Sequence, residues 1–337
     1  MRRTIALFSI LLAGSCHWAT ANAAPPPDFQ SQILAFAKET SKKHKFDPAE
    51  LTALLKKARY RQSIIDAITR PAEAKPWHKY RPIFVTDSRA REGVRFCREN
   101  QALLEQAEAR YGVPAETIVA IIGVETRYGR HAGKYPVIDA LATLSFGYPR
   151  RSAFFKRQLE EFLLLAREEE VDALSLKGSY AGAMGKPQFI PSSYRAYAVD
   201  FDNDGKRDIW SNNADAIGSV AAYFKRHGWT KDAPVTVKAE GAGKDHSKYV
   251  KAGMKPSIRL SELSAAGITV PAELKQDSLS SLVRLRVKNG NEYWLGLPNF
   301  YVITRYNHSN LYAMAVYQLS RKIVELRKAG EQHVDNS

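Results

Sequence analysis

Hydrophobic positions recur at helical spacing through most of the 337-residue chain. Phe29, Ile33, Leu34 and Phe36 open an amphipathic pattern that Leu51, Leu54, Leu55 and Ile64 continue, so residues 29–70 read as short helices. A Pro-rich passage from Pro71 to Pro82 interrupts it. Arg91 to Arg110 then predicts one helix, and Pro114 suits the first turn of another over Ala115 to Thr126. Phe155, Leu159, Phe162 and Leu163 share one face of a helix over Phe154 to Glu169, and Ile217 to Phe224 predicts a further one. After Trp229 the period changes. Val235-Thr236-Val237 and Leu282 to Val287 alternate as strands do, and Lys288-Asn289-Gly290-Asn291 predicts a hairpin turn into Glu292 to Leu297. Helical spacing resumes over Tyr312 to Leu326. The pattern predicts a mainly α (α+β) fold, a larger α domain with a small β insertion whose last helix returns to the α body.

The first residues differ from the rest. Arg2 and Arg3 precede the apolar stretch Ile5 to Leu12, and Ala21-Asn22-Ala23 has the A-x-A form of a signal-peptidase site, so residues 1–23 read as a secretory signal. A competing reading is lipidation at Cys16, because Leu12-Ala13-Gly14-Ser15-Cys16 resembles a bacterial lipoprotein signal with its leucine one place early. Both readings export the chain. Cys97 is the only other cysteine, so cleavage of the signal leaves no intramolecular disulfide and excludes a disulfide-stapled domain.

Charge narrows the partners. The chain carries 50 Lys and Arg against 35 Asp and Glu, a net +15, which suits cell-wall peptide carboxylates, anionic lipid or nucleic acid. Scattered lysines that merely keep the surface soluble account for the same excess. No apolar run of about 18 residues follows the N-terminal segment, which excludes a multi-span membrane protein.

Glu125 is the first candidate for chemistry. Ile118, Ile121, Ile122 and Glu125 fall at i, i+3, i+4 and i+7, which puts a carboxylate on the apolar face of a helix and near its C-terminus. Desolvation and the helix dipole both raise the pKa of a carboxyl so placed, as a general acid requires. A structural Glu paired with Arg127 or Arg130 fits the same spacing.

The second candidate is Asp200-Phe201-Asp202-Asn203-Asp204-Gly205-Lys206-Arg207-Asp208. Carboxylates at positions 1, 3, 5 and 9 with Gly at 6 follow an EF-hand loop, with the Lys206 carbonyl as the position-7 oxygen. Position 12 is Ser211 rather than Glu, and Asp215 is the natural replacement. The calcium so held is read as structural. H-E-x-x-H, P-loop and C-x-x-C motifs are absent, and Gly178-Ser179 lacks the spacing of a nucleophile elbow. Tyrosines recur beside the polar motifs, which suits a glycan groove and equally a tyrosine-rich core.

Taken together these residues resemble the lytic murein transglycosylase B family of bacterial cell-wall lyases. The likeness rests on Ile121-Ile122-Gly123-Val124-Glu125-Thr126-Arg127, Leu141-Ala142-Thr143-Leu144-Ser145-Phe146, Tyr148-Pro149-Arg150-Arg151 and Gly178 to Gly185. Pro187 to Tyr194, the acidic loop, Ala216 to Val220, His227-Gly228-Trp229 and Tyr306-Asn307-His308-Ser309 extend it, in consistent order over roughly residues 75 to 325.

The resemblance implies a lysozyme-like α core with an EF-hand-like calcium loop, and cleavage of the MurNAc-β-1,4-GlcNAc bond without water to leave 1,6-anhydro-MurNAc ends. A hydrolytic muramidase and a non-catalytic, calcium-stabilised peptidoglycan-binding scaffold are the alternatives. Glu125 matches the sole acid/base. Ser179 matches a residue that orients the substrate's 2-acetamido group, and Gln188, Tyr223 and Tyr306 match groove residues. Tyr80, Asn307 and Tyr312 match further sugar contacts, and Arg150 and Arg151 match residues that meet stem-peptide carboxylates. Asp200, Asp202, Asp204, Lys206 (backbone carbonyl), Asp208 and Asp215 match the calcium site. Two departures stand out: Lys186-Pro187 where a smaller turn is expected, and Asp215 one place late.

Implied partners are glycan strands, stem peptides and cell-wall synthases, with a lipid anchor to the outer membrane in the lipoprotein reading, and not nucleic acid. The implied location is the periplasm. The implied organisation is a signal peptide over 1–23, an N-terminal α region over 24–110 and a catalytic core over 111–230 with its loop at 200–215. A β module over 231–297 and a C-terminal helical segment over 298–337 complete it.

Overall fold

The computed structural model describes residues 24–70, 75–241 and 246–334. The signal segment 1–23, with Cys16, lies outside the described residues. The architecture is mainly α with two small antiparallel sheets, one of two strands and one of four. Among the described residues no helix is long and apolar enough to cross a membrane. The described chain groups into two units, one of residues 73–128 and 220–337, the other of residues up to 72 together with 129–219.

In the first unit the helix Ala115–Thr126 packs against the helices Asp87–Glu99 and Asn310–Val334. It is apolar all round because it is buried all round: Ile118, Val119, Ala120, Ile121 and Ile122 are all fully enclosed. The helices Trp77–Phe84 and Pro298–Tyr306 pack on the C-terminal helix in turn. The single helix expected over Arg91 to Arg110 is two, Asp87–Glu99 and Gln101–Tyr111. Asn100 breaks it: its backbone leaves the helical region (φ −124°, ψ 25°), and its side-chain amide donates to the Phe96 carbonyl at 2.9 Å. That local competition with the helix ladder is what Asn offers and Ala does not.

The β module of this unit has the strand order Thr236–Lys238, Gly290–Gly296, Leu279–Val287, Ile258–Arg259, every pair antiparallel. Leu260, Leu263, Ile268, Leu282 and Leu295 form its core. Val287 pairs with Gly290, so the two loop residues are Lys288 and Asn289, and Gly290 supplies the positive φ (98°).

The second unit is built around the helices Val137–Gly147 and Ser152–Glu168, packed on each other. The N-terminal helices Phe29–His44 and Gln62–Ile68 lie against the former. Asp139 is buried there and binds Arg61 Nε at 2.7 Å and the Arg59 amide at 2.9 Å, so a charge inside the unit is both paired and hydrogen-bonded. The short helix Pro191–Tyr197 packs on Ser152–Glu168 and leads into the acidic loop.

Candidate active site

Glu125 lies one residue before the end of its helix, where a run of buried isoleucines has carried it into the interior while leaving it partly open to solvent. Burial pushes its carboxyl up to about 7, and the hydrogen bond from the Tyr312 hydroxyl to Oε1, at 2.6 Å, pulls the other way. Arg127, the neighbour that could have neutralised it, is turned elsewhere. Its Nε and Nη2 donate to both oxygens of Glu92, at 2.8 and 2.7 Å, and Nη2 also reaches Ser88 Oγ.

The turn behind Glu125 is strained and held. Arg127 and Tyr128 both take positive φ (50° and 61°), a conformation that costs an L side chain roughly 1–2 kcal/mol per residue. The Arg127 amide returns to the Gly123 carbonyl and the Tyr128 amide to that of Ile122, at 3.1 and 3.3 Å. The Tyr128 hydroxyl then bonds the Arg89 carbonyl at 2.8 Å. Its ring tip occupies a slot between two helical glycines: a Cβ on Gly93 or on Gly123 would lie 2.6 Å from that hydroxyl oxygen. Neither Glu92 nor Gly93 stands out in the sequence as part of a site, and Tyr128 reads there only as one of the tyrosines beside the polar motifs. The legible signal was Gly123 itself, a poor helix former inside an otherwise isoleucine-rich helix.

Tyrosines wall the same unit. Tyr312 is fully buried and lies parallel to Tyr306, with centroids 6.4 Å apart; Tyr306 meets Tyr223 edge-on at 4.8 Å. Burial and the Glu125 charge hold both the Tyr306 and Tyr312 phenols well above their ordinary pKa, so each remains a neutral donor. Tyr223 donates to the Arg305 carbonyl at 2.6 Å and stacks on His227 at 3.9 Å. Tyr80 is buried beside Trp77 and Phe84. Asn307 is buried at the end of the helix Pro298–Tyr306.

The remaining expected residues belong to the second unit. Ser179 Oγ accepts from the amides of Ala181 and Ala183, at 3.3 and 3.1 Å, which closes the turn that carries it. Gln188 has φ 53° and anchors its side-chain NH2 on the carbonyls of Ala132 and Gly185, at 3.0 and 2.9 Å. Its Oε1 is buried and accepts nothing among the described residues. The atypical Lys186 has a structural use, with Nζ on the Ser211 carbonyl and Asn213 Oδ1, both at 2.6 Å. Arg150 is exposed, whereas Arg151 lies over the Phe154 ring, 4.3 Å from its centroid.

The acidic loop brings the oxygens of Asp200, Asp202 and Asp204 within 4.8 Å of one another. Gly205 makes the sharp turn at φ 87°, and Asp200 accepts from the amides of Asp204 and Gly205. Asp208 and Asp215 stand differently. Asp208 caps the turn through the amides of Trp210 and Ser211. Asp215 is fully buried and ties the loop ends together, accepting from the amides of Phe201 and Asp208 at 2.7 Å each. Burial, with the charges of Asp202 and Asp200 adding to it, pushes Asp215 up to about 6 against those two bonds. Crowded carboxylates of this kind fit a divalent cation, which supplies the missing positive charge.

Comparison with known proteins identifies relatives over most of the chain. The model of the transglycosylase SLT domain matches residues 28–321. The membrane-bound lytic murein transglycosylase B of Escherichia coli is 47% identical over 302 residues, covering 87% of this chain and 82% of that protein. Among solved structures, the soluble lytic transglycosylase SltB1 of Pseudomonas aeruginosa is 53% identical with a TM-score of 0.84, over 88% of this chain and 99% of that one. The E. coli lytic transglycosylase Slt35, solved in complex with calcium, is 46% identical with a TM-score of 0.79, over 89% and 94%. The mainly α, lysozyme-like fold that places Glu125 beside Tyr312 is the fold of these structures, and the chain belongs to the family of lytic transglycosylases defined by the SLT domain.

Proposed function

We propose that this lytic murein transglycosylase cleaves MurNAc-β-1,4-GlcNAc bonds with Glu125 as its sole acid and base. The observation that carries the reading is the neutral-range carboxyl of Glu125 bonded to a buried tyrosine hydroxyl. Tyr312 faces Oε1, so the neutral acid carries its proton on Oε2. That proton goes to the glycosidic oxygen as the C1–O bond breaks. The substrate's 2-acetamido group stabilises the cationic C1. Glu125, now a carboxylate held by Tyr312, takes the proton of the sugar's 6-hydroxyl as that oxygen bonds C1. Atoms balance without water, and the product is a 1,6-anhydro ring. An ordinary glycosidase needs a second carboxylate, a role the acetamido group fills here.

Gln188 supports a contact role, since its buried Oε1 suits a substrate hydroxyl or amide donor. Ser179 orients the acetamido group, Tyr80, Tyr223, Tyr306 and Asn307 wall the groove, and Arg150 and Arg151 meet stem-peptide carboxylates. Asp200, Asp202 and Asp204, with the Lys206 carbonyl, Asp208 and Asp215, would hold a structural calcium, whose charge would tie the loop to the start of the helix Asn213–Arg226. Exported to the periplasm, the enzyme acts on glycan strands alongside the synthases that extend them. Mass spectrometry of products from uncrosslinked strands tests the reading. Anhydro ends, absent with Glu125→Gln, are expected; reducing ends mean hydrolysis, and binding without any product means a scaffold.

A further inference from the structure

A cavity of about 480 Å³ opens beside the β hairpin, and its lining includes Lys75, Trp77, Arg284, Arg286, Asn291 and Leu311. All six belong to the unit that carries Glu125. Arg284 and Arg286 are two residues apart on the strand Leu279–Val287, so both leave the same face, while Val283 and Leu285 turn into the core with no exposure. Asn291 sits opposite Arg286 across the ladder. Lys75, Arg284 and Arg286 are all exposed, and none has an acidic partner among the described residues, in contrast to Arg61, Arg127, Arg195 and Arg207, which do. Three such cations around one cavity raise the local potential and concentrate anions.

The position of the cavity matters as much as its charge. Leu311 precedes Tyr312, the hydrogen-bond partner of Glu125, and Trp77 stacks on Tyr80 at 6.3 Å. The cavity therefore adjoins the tyrosine wall on the same unit as the acid. Arg forks match carboxylates in a bidentate manner, and Leu311 and Trp77 give the cavity an apolar side suited to an alanine methyl. We propose that this cavity is an anion-binding subsite for the stem peptide of peptidoglycan, its carboxylates taken by Arg284, Arg286 and Lys75. The proposal rests on the transglycosylase reading above, and adds a peptide contact separate from Arg150 and Arg151.

The test uses the full chain carrying Arg284→Gln with Arg286→Gln. Two substrates are compared, uncrosslinked strands with their stems and the same strands stripped of peptide by an amidase. Exposed charge contacts contribute up to about a factor of five each, so KM for peptide-bearing strands should rise roughly tenfold, with kcat unchanged and stripped strands cleaved as before. An unchanged KM, or an equal rise on stripped strands, overturns the proposal. Calorimetric titration of wild-type protein with a free stem tetrapeptide decides the cavity without any cleavage. Binding weakened by the double substitution supports it, whereas no binding, or displacement by equimolar inorganic phosphate, overturns the carboxylate assignment. Wild-type protein that binds the tetrapeptide but cleaves neither substrate sinks the transglycosylase reading alone. Lys75→Gln, on a separate segment, repeats the comparison if the hairpin variant fails to fold.

Discussion

Replacing Tyr312 by Phe removes one hydroxyl and one hydrogen bond, the 2.6 Å contact to Glu125 Oε1, and leaves the buried ring in place against Tyr306. A hydrogen bond to a charged acceptor contributes about 1.5–3 kcal/mol. At about 1.4 kcal/mol per pKa unit, its loss raises the Glu125 carboxyl by about one to two units from its value of about 7. The sign follows from the two opposing causes: burial raises this pKa, the tyrosine lowers it, and only the second is removed. The free enzyme must present the acid protonated, so kcat/KM on peptidoglycan strands should fall above pH 7 in the wild type. In Tyr312→Phe that alkaline limb should move up by about one to two units. The plateau should drop roughly ten- to a hundredfold, because the carboxylate formed on proton transfer has lost its donor. The assay counts anhydro ends released between pH 5 and 10. A limb that stays in place, or moves to lower pH, refutes the argument that Tyr312 tunes this carboxyl.

Glu125→Gln should stabilise the fold at alkaline pH. A carboxyl raised from 4.5 to about 7 on folding costs about 3 kcal/mol once both states are ionised, a penalty that disappears as pH falls below 4.5; urea titrations at pH 8 and pH 4 should show the gain only at the former. Gly123→Ala forces a methyl to within 2.6 Å of the Tyr128 hydroxyl, and should cost about 1–3 kcal/mol in denaturant titrations and lower kcat more than KM, since the turn behind Glu125 shifts. Glu92→Gln weakens the charged clamp on Arg127 and should lower kcat in the same way without moving the pH limb, because Glu92 does not touch Glu125. Chelation should lower the melting temperature by several degrees, as loss of a cation held at about 100-fold its Kd removes about 3 kcal/mol; Asp200→Asn with Asp204→Asn should melt at the chelated temperature with or without added calcium.

What the sequence determined by itself was local. A run of isoleucines at helical spacing places Glu125 on a buried face because the 3.6-residue period is a property of the backbone, independent of what packs against it. The convergence of Asp200, Asp202 and Asp204 is equally local, set by alternation and one glycine turn within five residues of the first carboxylate. Tertiary structure decided how those groups are used. The residue that bonds Glu125 lies 187 positions away, and no spacing rule connects them. Arg127, adjacent in sequence and a natural ion-pair partner for Glu125, is drawn off by Glu92 on another helix, which leaves the acid free to titrate near neutrality. Asn100 cut an expected helix in two because a side-chain hydrogen bond competed with the ladder. Asp215, on spacing a metal ligand, also holds two backbone amides and so braces the loop, a use that spacing alone does not show. Periodicity dictates which face of an element is buried; only the packed chain dictates which groups meet there, because burial makes every charge and hydrogen bond depend on its partner.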